Sequence, residues 1–480
     1  MEAGFGVQIS RRMFIQTVLV LFLLMMAAGV LTRLVPAGMY ARVDVNGRQT
    51  LVPGSFQFTP APDYPVWRWF TAPVEVLGAP GSATIIVIII FLLFIGGAFA
   101  ILEKSGIIHA VLGHLVTRFQ DRKYTLLLAI SFLFMSIGAF FGIFEEVVPL
   151  LPIMIALSYS LGWDALTGLG MSVLAVNLGF SAAITNPFTI GVAQNLAGLP
   201  LFSGAGFRIV VFLVIYAVFA WFITRYARHI ERNPSRSPLF NEDQAEREKY
   251  RSFRLSGSEN PRLKLALFFF GGFILLIFVV LVSGPFIPAI SEFALPLVGI
   301  LFLAGGIAAG LIAGSGRTVW PALLQGVKGM LPAIPLILMA MSVKHIVTQG
   351  GILDTILHQA DAPLAAASPF GAAILIYVLA LIIEFFISSG SAKAFLMMPI
   401  LIPLADLVGV SRQVTVLAYQ FGDGFTNLIY PTSAILLICL GLARVSYLKW
   451  LKWTLPLWGV IVAVTLIFLA VAVAIGYGPF

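Results

Sequence analysis

Two adjacent carboxylates interrupt an apolar part of the chain in the stretch Gly138-Ala139-Phe140-Phe141-Gly142-Ile143-Phe144-Glu145-Glu146-Val147-Val148-Pro149. The apolar runs on both sides predict membrane-spanning helices, and a charged side chain at membrane depth is energetically expensive. Such side chains usually serve a substrate, an ion or a proton pathway. The stretch therefore predicts a polytopic helical membrane protein and, at the same time, the position of a functional site.

The composition of the whole chain supports this fold class. Of the 480 residues, 60% are hydrophobic and only 10% are charged, whereas about a quarter of the residues of a soluble domain are charged. Apolar segments of about 18 residues or more recur along nearly the whole length, and each can cross a bilayer as a helix. A single cysteine, Cys439, excludes an intramolecular disulfide framework. We expect an all-α polytopic membrane protein.

Charge and turn residues divide the chain into segments. Short basic loops mark the cytoplasmic side, and the largest of them is rich in arginine. We expect the first transmembrane helix and an external loop over residues 1–70, transport repeat 1 over 71–226, a cytoplasmic linker over 227–263, scaffold helices over 264–316 and transport repeat 2 over 317–480. This order places the N-terminus in the cytoplasm and the C-terminus outside.

The two transport repeats are related by an offset of about 245 residues. The offset aligns Pro152 with Pro399, Gly162 with Gly409, and Asn186-Pro187 with the neighbourhood of Tyr430-Pro431. Each repeat is predicted to contain a re-entrant helical hairpin, at about 124–160 and 370–408, and an interrupted helix, at about 165–199 and 411–443. The positive-inside rule makes the two repeats inverted relative to each other. Inverted repeats with broken helices are typical of transporters, because irregular backbone at membrane depth persists only around a cavity or inside protein.

Polar residues are expected to converge between the two hairpin tips and the two helix breaks. They are Glu145 and Glu146 in the first tip, Ser388, Ser389, Ser391 and Lys393 in the second tip, Asn186, Thr189 and Gln194 in the first broken helix, and Asp423, Asn427, Thr432 and Ser433 in the second. Pro187 and Pro431 are the predicted structural breaks, since proline lacks a backbone donor and frees a carbonyl. Half-helix N-termini attract anions, and freed carbonyls suit Na⁺ or an ammonium group. We predict a substrate- or ion-binding site here, with a Na⁺ position near Asn186 and Thr432.

Each of these residues also has a purely structural interpretation. A Ser or Thr in a membrane helix commonly bonds its own backbone, and a proline can simply kink a helix. Glu145 or Glu146 can cap the helix that follows, and Glu384 can pair with Lys393. The sequence contains no phosphate-binding loop and no Cys/His cluster. We therefore expect no cofactor, and a coupling ion that is either Na⁺ or H⁺.

Several motifs resemble those of a known family. They are Gly142-Ile143-Phe144-Glu145-Glu146, Asn186-Pro187-Phe188-Thr189-Ile190-Gly191-Val192-Ala193-Gln194, Ser203-Gly204-Ala205-Gly206-Phe207-Arg208 and Val35-Pro36-Ala37-Gly38. Together they look like the YfcC-like branch of the DcuC family, the C4-dicarboxylate anaerobic carriers, within the ion transporter superfamily. The resemblance covers essentially the whole chain.

The resemblance implies two inverted repeats, two re-entrant hairpins, a homodimeric scaffold and elevator-type movement of the substrate domain. It also implies dicarboxylate substrates or, near this branch, arginine/ornithine exchange. The superfamily's Ser-Asn-Thr hairpin tips are replaced here by Gly-Ile-Phe-Glu-Glu and Ser-Ser-Gly-Ser. That departure argues against a Na⁺-coupled dicarboxylate mechanism.

The sequence thus predicts a secondary active transporter of the bacterial inner membrane, of the elevator type and coupled to an ion or to exchange. Two carboxylates at the site repel a dianion and suit an ammonium group or a proton. This favours a small carboxylate-bearing amino acid, such as arginine or ornithine, over a C4-dicarboxylate, which is the alternative substrate. We expect no enzymatic activity; an intramembrane enzyme with Glu145 and Glu146 as acid and base, or a channel, is the alternative from another class.

Overall fold

The computed structural model describes residues 11–45, 48–80, 82–108, 110–111, 113, 119–244, 261–283 and 287–478. Within these ranges, ten helices are long and apolar enough to cross a membrane. The prediction of an all-α polytopic membrane protein is confirmed. Residues 245–260 of the expected cytoplasmic linker lie outside the described ranges.

The N-terminal third begins with one apolar helix and a small strand-containing segment. Helix α1 is Arg11–Leu34, and it is followed by β1 (Gly38–Met39), β2 (Arg42–Val45), β3 (Arg48–Leu51) and β4 (Gln57–Phe58). Strand β1 pairs antiparallel with β4, and β2 pairs antiparallel with β3. The subsequent helices are α2 (Arg68–Glu75), α3 (Ser82–Lys104), α4 (Lys123–Phe141) and α5 (Leu151–Ser160), with a 3-10 turn, Glu145–Leu150, before α5.

The remaining helices follow in chain order. They are α6 (Ala165–Ser181), α7 (187–196), α8 (Ala205–Arg232), α9 (Pro261–Ser283), α10 (Pro288–Ile312), α11 (Val319–Met330), α12 (Ala333–Gln349), α13 (Leu353–His358), α14 (Asp361–Ala365), α15 (Pro369–Phe386), α16 (Gly390–Leu407), α17 (Arg412–Gly424), α18 (Ala434–Ala443) and α19 (Tyr447–Ala474). Helix α6 contains a π-helical turn, Gly170–Leu174, and α7 begins with another, Pro187–Gly191.

Helices α3, α9, α10 and α11 form one packed group. Helix α10 packs against both α9 and α3, and α3 also packs against α11. Small residues permit these contacts: a Cβ on Gly306 would lie 3.0 Å from the Cβ of Ala98, and a Cβ on Gly96 would lie 3.0 Å from the carbonyl oxygen of Gly326. Without a hydrophobic force between helices in lipid, such close approach supplies the van der Waals contact that holds them together.

The two hairpins and the two interrupted helices form a second packed group. Helix α4 packs against α6, α15 packs against α17, and α16 packs against α7. The first interruption covers residues 182–186 and the second covers 425–433, between α17 and α18. Asp423, which we expected at the second break, instead lies in the last turn of α17. The helix runs on through Gly424 because the apolar side chains around it are buried against α15 and α6.

The two hairpins contact different peripheral segments. At the first, Lys123 Nζ lies 2.5 Å from the carboxylate of Glu231, near the end of α8. At the second, α16 contacts strand β3. The strand segment is itself fixed to α13, because the Asp354 carboxylate accepts hydrogen bonds from the Tyr40 amide, at 2.9 Å, and from the Arg42 guanidinium, at 3.0 Å.

Candidate functional site

The tip of the second hairpin contacts both interrupted helices. A Cβ on Gly390, the first residue of α16, would lie 2.6 Å from Cγ2 of Thr189 and 3.0 Å from Oδ2 of Asp423. The Tyr419 hydroxyl donates a hydrogen bond to the Gly390 carbonyl. Only glycine fits this approach, so the second tip, α7 and α17 meet at one place.

The tip of the first hairpin packs against the first helix break. Gly142 has a φ of 69°, in the left-handed region, and a Cβ there would lie 2.8 Å from the Phe188 ring. The Ile184 amide donates to the Ala139 carbonyl at 2.9 Å, and the Thr185 hydroxyl donates to the Phe140 carbonyl at 3.0 Å. The first tip and the break at residues 182–186 therefore form one unit.

Three buried charged side chains form an ion cluster beside the second tip. The Lys393 ammonium pairs with the carboxylates of Glu384 and Asp423, and it lies 2.6 Å from Oδ1 of Asp423. The exposed fractions of Glu384, Lys393 and Asp423 are 2%, 0% and 1%. Two carboxylates face one ammonium, so the cluster has an excess of negative charge when all three are ionised.

The carboxylates of the first tip have a different environment. Glu145 is exposed and Glu146 is half-buried, although Phe144 and Val147 on either side are buried. The Phe144 amide donates to Oε2 of Glu146 at 3.3 Å. Neither glutamate forms an ion pair with any residue that the structure describes. The 3-10 turn that carries them contacts α10 of the first helix group.

Three of the predicted site residues cap the half-helices. Oδ1 of Asn186 accepts from the Phe188 amide at 2.9 Å, Oγ of Ser389 accepts from Ala392 at 3.5 Å, and Oγ of Ser433 accepts from Leu436 at 3.4 Å. These residues fix the starts of α7, α16 and α18. Pro187 follows Asn186 at the first helical position, which suits proline because no intrahelical donor is needed there.

The other predicted site residues differ in how close they lie to the contact between the second tip and the interrupted helices. Thr189 is buried next to Gly390, whereas the amide of Gln194 donates to the Ser203 carbonyl at 2.9 Å and to Oε1 of Gln413 at 3.1 Å. Gln194 thus belongs to a network at the end of α7. Of the remaining predicted residues, Ser388 is exposed, Ser391 and Thr432 are half-buried, and Asn427 and Pro431 are buried.

Two polar side chains, those of Arg208 and Gln420, satisfy the carbonyls freed at the first break. The buried guanidinium of Arg208 donates to the Ile184 carbonyl from Nε at 3.0 Å and from Nη2 at 2.9 Å. The Gln420 amide donates to the Phe180 carbonyl at 2.8 Å. The sequence signal for Arg208 is a charge inside an apolar span, and Gln420 is one of the polar residues of the second broken helix; the carbonyl that each one bonds is set by tertiary packing.

Comparison with known proteins gives a family match over nearly the whole chain. The profile of the family DcuC, "C4-dicarboxylate anaerobic carrier", matches residues 14–474. The Escherichia coli (strain K12) protein named "Putative basic amino acid antiporter YfcC" is 32% identical over 505 aligned residues, which cover 96% of each chain. An uncharacterized protein of Haemophilus influenzae is 26% identical over 401 residues, or 82% of this chain and 77% of that one.

Two solved structures are more distantly similar. Neisseria gonorrhoeae MtrF, of a class of antimetabolite efflux pumps, is 19% identical with a TM-score of 0.42, and the alignment covers 98% of this chain and 96% of that one. The Alcanivorax borkumensis YdaH transporter is 19% identical with a TM-score of 0.40, and the alignment covers 97% and 99% of the two chains.

Proposed function

The chain belongs to the DcuC family of carriers and is a multi-pass membrane transporter, and from this premise we propose that it exchanges cationic amino acids such as arginine and ornithine across the bacterial inner membrane. The proposed transport is secondary active. The substrate would lie between the two hairpin tips and the two helix breaks.

The charge balance of the hairpins and interrupted helices carries this proposal. The four carboxyl groups of Glu145, Glu146, Glu384 and Asp423 outnumber the two cations near them, the Lys393 ammonium and the buried Arg208 guanidinium. At an effective dielectric constant of about 20, two unit charges about 4 Å apart interact by about 4 kcal/mol. Such a site attracts a guanidinium or ammonium group and repels a dianion. The name of the Escherichia coli relative agrees with a basic amino acid as substrate.

The two ends of an amino acid would meet different surroundings. We assign the cationic side chain to Glu145 and Glu146, which are the carboxylates that are not enclosed. We assign the substrate carboxylate to the start of α16, where Ser388, Ser389 and Ser391 surround a helix N-terminus that favours negative charge. Asn427 and Thr432 of the second break complete the proposed lining. Asn186 and Ser433 position it as helix caps, and Thr189 packs beside it.

The arrangement of the two helix groups supports elevator-type movement of inverted repeats. The first hairpin is fixed at its base to the segment that leads into the basic linker, and the second hairpin contacts the strand segment. If the linker is cytoplasmic, the hairpins enter from opposite faces, with the N-terminus inside and the C-terminus outside. Helices α3, α9, α10 and α11 would be the scaffold. Exposed apolar side chains on α9, such as Phe268 at 78% and Leu275 at 63%, suit lipid or the second copy of a homodimer.

A C4-dicarboxylate is the second candidate substrate, because the description of the family names it. Counterflow in proteoliposomes distinguishes the two. Vesicles preloaded with ornithine should accumulate labelled arginine transiently, and vesicles preloaded with succinate should not accumulate labelled succinate. Succinate counterflow without arginine counterflow would overturn the proposal. The matched control is Glu242→Gln, a surface carboxylate paired with Lys449 at 2.5 Å, which should exchange arginine as the wild type does.

A further inference from the structure

The ion cluster of Glu384, Lys393 and Asp423 contains two acidic groups and one basic group. This imbalance bears on the identity of the coupling ion. Glu384 and Lys393 lie on the two arms of the second hairpin, and Asp423 lies on α17. One lysine cannot neutralise two carboxylates, and burial makes an uncompensated charge unfavourable. The cluster therefore has room for one further positive charge, which is either a proton or an external cation.

We propose that Asp423 binds the coupling proton, and that the Lys393 ammonium permanently occupies the position that an inorganic cation would otherwise take. This inference rests on the proposed exchange of cationic amino acids and adds the coupling ion to it. A proton from solution joins one oxygen of the Asp423 carboxylate to give the neutral acid. The same proton returns to solution when the cationic substrate binds at the first tip, because the site as a whole has room for only one added positive charge.

The position of Asp423 makes it the proton carrier rather than Glu384. If Asp423 is neutralised, the ion pair between Glu384 and Lys393 survives inside one hairpin. The link that weakens is the one between Lys393 and α17. Asp423 also lies beside Gly390 and Thr189, where the second tip meets the first interrupted helix. Protonation there would loosen the second tip from α17, the part of the site that a substrate must enter.

The surroundings of Asp423 are polar enough to receive and release a proton. The titratable groups that face the cluster are Glu384 from α15, Lys393 from α16 and Tyr419 from α17 itself. Buried Thr189 lies beside Gly390, as Asp423 does, and within the described part of the chain its Oγ1 has no hydrogen-bond partner. These groups can solvate a proton at this depth.

Infrared spectroscopy tests the protonation state without requiring transport. The purified substrate-free protein at neutral pH should show the C=O stretching band of a protonated carboxyl group, and Asp423→Asn should lack that band. Glu384→Gln should keep it. The matched control is Asp406→Asn, an exposed aspartate paired with Arg412 at 2.8 Å, which should not alter the band. An unchanged band in Asp423→Asn would overturn the proposal.

Two further measurements separate the coupling ion from the substrate. Arginine added to weakly buffered wild-type protein should release about one proton for each molecule bound, as linkage requires, and Asp423→Asn should release none. NaCl should raise the thermal unfolding temperature of Lys393→Ser above its value in choline chloride, because Na⁺ can enter the vacated position. The wild type should respond equally to both salts. Specific stabilisation of the wild type by Na⁺ would contradict the assignment of Lys393. An absent arginine response with the infrared result intact would refute the proposed substrate alone.

Discussion

The two hairpin tips differ in the surroundings of their charged side chains. In the first tip, Glu145 is exposed and Glu146 is half-buried, and they form no ion pair within the described residues. In the second tip, Lys393 is fully enclosed and paired with Glu384 and Asp423. A buried charged side chain needs an ion-pair partner, because it has lost its hydration. An accessible carboxylate remains hydrated and is free to bind a ligand. The difference separates the residues expected to bind substrate from those expected to hold the site together.

Removing the lysine of the second tip should have the largest effect. Lys393→Met leaves the buried carboxylate of Glu384 without its cation, and breaking a buried ion pair in this way costs about 3–5 kcal/mol. We expect a large fall in the unfolding temperature in detergent, measured by differential scanning fluorimetry. Lys449→Met, at a partly exposed pair with Glu242, should shift stability by less than about 1 kcal/mol. Equal unfolding temperatures for the two variants would show that the enclosed cluster is not needed for stability.

Crowding the contact between the second tip and the interrupted helices should have the next largest effect. Gly390→Ala places a methyl group 2.6 Å from Thr189 Cγ2, and overpacking of this kind costs about 1–3 kcal/mol. Thermal unfolding measures the loss. Gly206→Ala is the matched control, since a Cβ there meets no atom within 4 Å and alanine favours a helix. If Gly206→Ala lost as much stability as Gly390→Ala, the close packing at Gly390 would not explain the loss.

Neutralising the first tip should affect transport and spare stability. Glu146→Gln removes one negative charge next to the proposed cationic end of the substrate. We expect arginine exchange to fall at least about tenfold, which corresponds to roughly 1.4 kcal/mol. Expression and unfolding temperature should stay unchanged, because the carboxylate has no ion partner among the described residues. Full exchange by this variant in proteoliposomes would exclude Glu146 from the site.

Breaking an ion pair that lies outside the membrane spans should have the smallest effect. Burial alone would raise the pKa of Glu75, but hydrogen bonds from Arg68, Thr71 and His345 lower it to about 2. Since the pKa is lower in the folded state, this contribution is present above pH 4.5 and is lost as the pH falls towards 2. Glu75→Gln should cost about 0.2–1 kcal/mol at pH 7. Between pH 5 and pH 3, the unfolding temperature of Glu75→Gln should fall less than that of the wild type. An equal fall would show that Glu75 is not the source of the acid sensitivity.

Interruptions of a helix are easier to predict from the sequence than the tertiary partners of the backbone groups that they free. Apolar runs and the two Asn/Tyr-Pro pairs identify the spans and the interruptions, because length and proline act locally. The carbonyls freed at the first break were expected to face an ion, yet Ile184 and Phe180 accept hydrogen bonds from Arg208 and Gln420. These donors are distant in sequence, so only the tertiary fold brings them there.

The role of each charge was likewise predictable only in part. Charge at membrane depth singled out Glu145, Glu146 and Lys393, and the sequence also suggested that Glu384 pairs with Lys393. The third member of the cluster, Asp423, was expected among the polar residues of the second broken helix, without a partner. Whether a charged side chain is enclosed depends on the packing of α15 against α17, which periodicity does not encode.

Carboxyl labelling tests the difference between the two tips most directly. The purified protein would be treated with a water-soluble carbodiimide and glycine amide, with and without arginine, and the modified residues identified by mass spectrometry. We predict that Glu145 and Glu146 are labelled, that arginine protects them and succinate does not, and that Glu384 and Asp423 remain unlabelled under all conditions. Labelling of the first tip that is unaffected by arginine, or protection by succinate alone, would contradict a cation-binding site between the tips.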